Sequence, residues 1–350
     1  MKVDFIVIGQ GICGTVIART LENYSKSYFV IDNNKKITSS KIAAGIMHPM
    51  SFKRCLLSWR GQEFFNFSKV FYEENDKILS SKNFKSIKLV RILSSFEEQN
   101  NWLGRYSSGI YRNHIDNKNL FFRHIINQFG SFEVKSACHL KVKNFLQSVK
   151  DDLIEKKKIL IDNVKVNQII KKENEFIYKN ISSKYLILCQ GASAVEDNLL
   201  NYLPIIPNKG ELMDIQSKYL PDVMLSKGIF ILPLRNNKFT LGSTYNHIDC
   251  SETVTVKAKE KILNQFQKIC ENNYFEIIDQ KYSFRPTTID RKPIIGQHPQ
   301  IKNLYVFNGM GSKAVLMAPL LAKELIENIL NNKTLNEKIR ISRFKNSDIR

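Results

Sequence analysis

With 350 residues the chain can hold two domains, or one domain carrying a large insertion. Its 43% hydrophobic content is that of an ordinary globular protein, and no run of about 18 apolar residues is present, which excludes a membrane-spanning helix. The net charge of +20 is dispersed, with short clusters only at 156–158, 171–172 and the tail, unlike the one-faced basic footprint of a nucleic-acid binder.

The first elements carry the most information. Lys2–Ile8 reads as a buried strand that runs into Gly9-Gln10-Gly11-Ile12-Cys13-Gly14. A helix follows, with Ala18 and Leu21 on its apolar face, then a second strand, Tyr28–Ile31, ending in Asp32. This is the dinucleotide fingerprint in its full context of strand, turn, helix, strand and acid. Gly9 permits the sharp turn, Gly11 lets backbone approach a pyrophosphate, and Gly14 lets the helix pack on the strand. The helix start offers free N–H groups and partial positive charge to phosphates. Asp32 suits a ribose diol, and an acid there argues against a 2′-phosphate.

Further along, 56–79 shows an aromatic stripe at helical spacing (Trp59, Phe64, Phe71, Tyr72) that reads as core. Ile87–Leu93 reads as a strand and Leu140–Ile154 as an amphipathic helix. Ile159–Ile161, Val164–Ile170 and Phe176–Tyr178 read as strands, and Lys184–Cys189 as a buried one that stops at Gln190-Gly191. Pro204–Ile215, Gly228–Leu234 and Phe239–Tyr245 predict a second sheet, and Thr253–Asn272 a helix. Leu304–Phe307 leads into Asn308-Gly309-Met310-Gly311-Ser312-Lys313 and a helix to about Leu330, before a polar, basic tail.

Six cysteines (Cys13, Cys55, Cys138, Cys189, Cys250, Cys270) form no CxxC and no zinc spacing, so neither disulfides nor a metal site are expected. The N-terminal apolar stretch is short, contains Asp4 and leads into the glycine turn rather than a cleavage site. A cytoplasmic location is the expectation.

At these residues the chain resembles the FAD-dependent amine and amino-acid oxidases, the family of D-amino-acid oxidase, glycine oxidase and monomeric sarcosine oxidase. The resemblance runs through the N-terminal fingerprint, Ser39-Ser40 to Gly45, Cys189-Gln190-Gly191, Gly242-Ser243-Thr244, Arg285-Pro286 with Asp290 and 293–296, and the Gly309–Pro319 stretch. It implies an α/β fold: a Rossmann-like FAD-binding domain of the glutathione-reductase type, with an inserted α+β substrate domain built on an antiparallel sheet. The expected division is 1–55, 140–200 and 285–335 for FAD, 56–139 and 201–284 for substrate, and 336–350 as a basic tail. The resemblance implies FAD rather than NAD. Gly9, Gly11, Gly14 and Asp32 would hold its ADP half, with Ser40 beside them and Val166 meeting the adenine. Ala44, Gly45 and Ile46 would run along the flavin, with Gly191 nearby, and Gly309, Met310, Gly311, Ser312 and Lys313 would wrap its pyrimidine end. Ala314 stands where related sequences often carry another glycine.

The chemistry expected is oxidation of a small amine or amino acid, with oxygen or another electron acceptor. Arg285 is the candidate carboxylate clamp, since a guanidinium binds carboxylate through two parallel hydrogen bonds and stays charged. The alternative is a structural Arg285 paired with Asp290. His48 at the flavin edge, Tyr245 in the pocket wall and Lys313 as positive charge near oxygen complete the candidate catalytic set. Lys53 and Arg54 are candidates for added charge. A modified tRNA base is the alternative substrate, supported by the basic charge.

Overall fold

The structure is a computed structural model that describes residues 1–52, 55–271 and 274–344. Its first sheet has eight strands. Ile159–Ile161, Tyr28–Asp32, Lys2–Ile8 and Ile181–Leu188 lie side by side and parallel. The second half of Ile181–Leu188 pairs in parallel with Leu304–Asn308, and its first half pairs antiparallel with Glu175–Tyr178. Such a sheet needs cover on both faces, which is why Phe5 to Ile8 and Leu186 to Leu188 are continuous apolar runs, all buried.

One face is covered by four helices, Ile12–Asn23, Gly61–Ile78, Val142–Glu155 and Ala314–Asn331, in a core that includes Val16, Phe64, Phe145 and Leu321. A buried cation ties three of them together. Arg19 donates to Asn75 Oδ1 (2.7 Å) and Asp152 Oδ2 (3.1 Å) and pairs with Glu22. The other face carries Ile6, Phe29, Leu188 and Val306.

The second sheet also has eight strands, from Glu276–Thr288 at one edge through Ile205–Gln216, Lys238–Gly242, Ile229–Pro233, Met224–Lys227, Leu89–Ile92 and Ser131–Val134 to Ile115–Asp116. Its pairings are antiparallel except that of Met224–Lys227 with Leu89–Ile92. The helix Val256–Gln267 closes one face, with Ile262 and Phe266 on Met213, Leu225 and Leu241.

Two segments differ from the expected pattern. Val164–Ile170 is not one strand: Val166–Gln168 forms a 3₁₀ turn and pairing begins only at Ile170. The Gln168 side chain accepts from Lys165 N (2.9 Å), so a local hydrogen bond displaces the ladder. Within the polar tail, Ile339 and Ile341 are buried, and Ile295 N donates to the Ile339 carbonyl (2.9 Å), so the chain up to Phe344 packs on the first sheet.

Arg19→Met is expected to destabilise the fold by about 3 kcal/mol, because it strips a buried partner from two acids. Asp152→Asn should cost less, since Glu22 still pairs with Arg19. Urea midpoints at an unchanged denaturant slope measure both.

Candidate active site

The first turn is built by close backbone packing. Gly9 has φ +97°, and a Cβ there would sit 2.7 Å from the Cys189 carbonyl oxygen. A Cβ on Gly14 would overlap the Gly9 carbonyl oxygen. One on Gly11 would come within 3.1 Å of Ser40 Oγ, which itself accepts from Ile12 N (3.0 Å). The helix Ile12–Asn23 has no acid in its first turn, so its positive end is left for a ligand. Asp32 accepts from Gln10 N (2.8 Å) and Asn34 N (2.9 Å), which fixes its carboxylate at the strand end.

These residues open onto one cavity of about 1480 Å³ that runs from Asp32 to Arg285. Gly9, Gly11, Asp32, Ser40, Ala44, Gly45, Ile46, His48, Val166, Gly191, Tyr245, Arg285, Met310, Gly311, Ser312 and Lys313 all line it. Gly14 and Gly309 stand behind the lining. Gly309, at φ +74°, leaves no room for a Cβ, which would lie 2.8 Å from Thr288 and 3.1 Å from Ile294 N. Lys53 and Arg54 lie outside the described residues.

The loop before the last helix is tied to both sheets. Asn308 Nδ2 donates to the Gly191 carbonyl (2.9 Å), and Gly311 N donates to the Pro286 carbonyl (3.0 Å). Lys313 is the N-cap of Ala314–Asn331, a helix with no acid in its first turn. Burial pushes the Lys313 ammonium down to about 8. His48 lies flat on Phe52, with ring centroids 4.2 Å apart, and its buried Nδ1 has no partner among the described residues. Burial first, then the nearby Lys313 charge, lowers the His48 imidazole to about 3. It is therefore neutral near pH 7, available as a hydrogen-bonding group but not as a cation.

Arg285 lies on Glu276–Thr288 with its guanidinium across Gly210 of the next strand, where a Cβ would overlap it. Nη1 donates to the Thr244 carbonyl (3.1 Å), and the Tyr245 ring lies 4.4 Å from Cζ. Asp290 does not pair with it. That acid takes Arg343 instead (2.8 Å). Among the described residues no carboxylate lies within 4.0 Å of Arg285, and burial lowers its pKa from the usual value without threatening its charge.

Gly210 and Asn308 escaped the sequence reading. Gly210 was signalled by a glycine inside a long strand pattern, the usual mark of a close approach. Asn308 was signalled by a polar residue closing an apolar strand, and it is 1% exposed.

Gly14→Val is expected to abolish retention of a dinucleotide, because the new side chain meets backbone rather than a movable side chain. Purified protein should then lack the flavin absorbance of the parent, and circular dichroism separates this from global unfolding.

Among solved structures, iminodiacetate oxidase from Chelativorans sp. BNC1 superposes with TM-score 0.80 at 16% identity, covering 97% of this chain and 98% of that one. Glycine oxidase from Bacillus cereus ATCC 14579 superposes at 0.78 and 16% identity, covering 95% and 96%. These likenesses establish the fold. In sequence, glycine oxidase of Bacillus subtilis (strain 168) is 25% identical over 135 residues, 38% of this chain and 36% of that protein. A tRNA 5-methylaminomethyl-2-thiouridine biosynthesis bifunctional protein of Idiomarina loihiensis is 27% identical over 158 residues, 42% of this chain and 26% of that protein. The chain thus matches about a third or less of the length of these curated relatives. The glycine cradle, the acid-free helix start and Asp32 fit an FAD. The model of the DAO family, FAD dependent oxidoreductase, matches residues 4–328, and the chain belongs to that family.

Proposed function

We propose that the protein oxidises the C–N bond of a small amine or amino acid bearing a carboxylate, giving an imine that water hydrolyses. The observation that carries this reading is Arg285, a half-buried guanidinium with no acid in contact among the described residues. Holding a cation away from water is unfavourable unless an anion joins it, and a substrate carboxylate is that anion. Bound FAD supplies the hydride acceptor, its N5. The residues of this chain orient the substrate. Arg285 fixes the carboxylate, Tyr245 backs the guanidinium, and neutral His48 is placed to accept a hydrogen bond from the amine.

Lys313 supplies positive charge where oxygen is reduced to peroxide. The first sheet and its helices form the FAD-binding part, drawn from 1–55, 140–200 and 285–335 and joined by the helix Gly61–Ile78, which packs on that sheet although it lies in the stretch expected for substrate (56–139, 201–284); the second sheet frames the substrate. Among the described residues no helix is long and apolar enough to cross a membrane.

A second reading places a modified tRNA wobble uridine in the same site. The net charge of +20 and the likeness to the Idiomarina loihiensis protein favour it. Salt-sensitive tRNA binding would support it, and no binding near physiological salt would remove it. Peroxide formation in air separates an oxidase from a dehydrogenase that uses another acceptor.

Two outcomes test the main reading. Arg285→Ala should retain FAD and raise KM for carboxylate amines by about a hundredfold, the scale of a lost charge-assisted pair. An unchanged KM would rule out the clamp. Oxygen-dependent turnover should fall as pH rises through about 8, where Lys313 loses its proton. Lys313→Met should be slow throughout and lack that step in an oxygen-electrode profile.

A further inference from the structure

The second sheet turns two different faces to its surroundings. One is closed by the helix Val256–Gln267, which packs on Met213, Leu225 and Leu241. Side chains alternate along a strand, so Gly210 and Leu212 of Ile205–Gln216 lie on the other face. Register carries that face to the neighbouring strands, since Leu212 lies opposite Gly242 and Gly242 opposite Phe230. Gly210, Leu212, Gly242 and Phe230 all line the large cavity. We propose that Leu212 and Phe230 decide which side chain the substrate carries on Cα, accepting a short unbranched apolar one and refusing a branched or aromatic one. The proposal rests on the carboxylate-anchoring reading of Arg285.

The size limit comes from the way the two side chains meet. A Cβ on Gly242 would lie 2.2 Å from Leu212 Cδ2 and 3.2 Å from Phe230 Cζ, so both side chains converge over that glycine and fill the space it leaves. The floor is raised rather than hollow. It still presents surface to the cavity: Leu212 is 6% exposed and Phe230 is half-buried. Both side chains are wholly hydrocarbon, so what they offer a ligand is apolar contact. A hydroxyl laid on them would give up water without gaining a partner.

Clamp and floor lie within the span of one amino acid. Arg285 Nη1 sits 2.1 Å from where a Cβ of Gly210 would be, so the guanidinium covers that glycine. Leu212 is the next residue on the same face, about 7 Å along the strand at the rise of an extended chain. Asn208, the same-face residue on the other side of Gly210, is 1% exposed and does not line the cavity. Along this strand the open direction from the guanidinium therefore runs to Leu212. A carboxylate held at Arg285 leaves the Cα substituent against Leu212 and Phe230.

The test uses the holoprotein with glycine, sarcosine and both enantiomers of alanine, 2-aminobutyrate, serine, leucine and phenylalanine. Anaerobic flavin bleaching gives kcat/KM, and perturbation of the oxidised flavin band gives Kd without turnover. In the enantiomer that reacts, alanine or 2-aminobutyrate should lead, with leucine and phenylalanine at least tenfold lower and serine below 2-aminobutyrate. Leu212→Val and Phe230→Leu keep the floor apolar and shorten it, and each should raise the leucine-to-alanine or phenylalanine-to-alanine ratio by about tenfold. Flavin retention and the urea midpoint show that the variants are folded. Phenylalanine used as well as alanine by the parent, or ratios unmoved in both variants, overturns the proposal. Bleaching by glycine or sarcosine with no binding of any larger compound also overturns it and leaves the oxidase reading intact. The same order of Kd values without bleaching supports the floor and sinks the oxidase reading instead. Failure of every compound to bind overturns both.

Discussion

The contact on which the molecule depends is between backbones, at the place where Gly14 and Gly9 meet and Gly9 meets Cys189. Neither glycine tolerates a Cβ, so the helix start, the first strand and the central strand Ile181–Leu188 are locked within van der Waals distance. From that lock a short chain of hydrogen bonds reaches the far side of the site. Gly191 accepts from Asn308, and two residues after Gly309 the Gly311 amide donates to Pro286, the neighbour of Arg285. The Gly9 turn and Arg285, the proposed clamp, are thereby linked by backbone packing and two hydrogen bonds, one of them from the Asn308 side chain. Loops alone would place them less exactly, since loops are the more mobile parts of a fold.

The electrostatics of the inner site follow from what is missing as much as from what is present. Arg285 has no acidic neighbour within ion-pair distance among the described residues, and Lys313 is pushed down toward neutrality by burial. His48 stays uncharged chiefly because burial disfavours its cation, with the nearby Lys313 charge acting in the same direction. Elsewhere the chain does pair its buried cations: Arg19 with Glu22 and Asp152, Arg91 with Glu98, Lys209 with Asp249. The unpaired state of Arg285 is therefore a local exception, and exceptions of this kind concentrate where a ligand completes the charge balance.

Much of this was legible in the sequence. The fingerprint announced itself because each glycine answers a demand made within a few residues, and apolar runs such as Phe5–Ile8 announce strands buried on both faces. The DAO assignment and the FAD cofactor follow from those local patterns together with the Arg-Pro and C-terminal glycine motifs. What stayed hidden depends on contacts between distant residues. Gly210 matters only because Arg285, far along the chain, lies across it. Asn308 matters because Gly191 needs a donor. Val164–Ile170 alternates like a strand, yet a single Gln168 side chain diverts it. Arg91 and Ser226 face each other only because Leu89–Ile92 and Met224–Lys227 pair, and no periodicity reports which strands will be neighbours.

One wall of the site shows how a group outside it sets its shape. Lys209 is 1% exposed and does not line the cavity, yet its Nζ holds Asp249 Oδ2 (2.8 Å) and Ser251 Oγ (2.7 Å). Its backbone N–H and carbonyl also pair with Asn246 (both 2.9 Å). The segment so anchored carries Tyr245, Cys250 and Glu252 into the cavity lining. Burying a lysine is unfavourable unless its partners are fixed, so the ion pair and the loop conformation require each other. Tyr245 stacks on Arg285 from this same segment, which couples the anchor to the orientation of the guanidinium. The position of Arg285 is thus decided twice, by the strand that bears it and by the ion pair of buried Lys209 with half-buried Asp249 behind it.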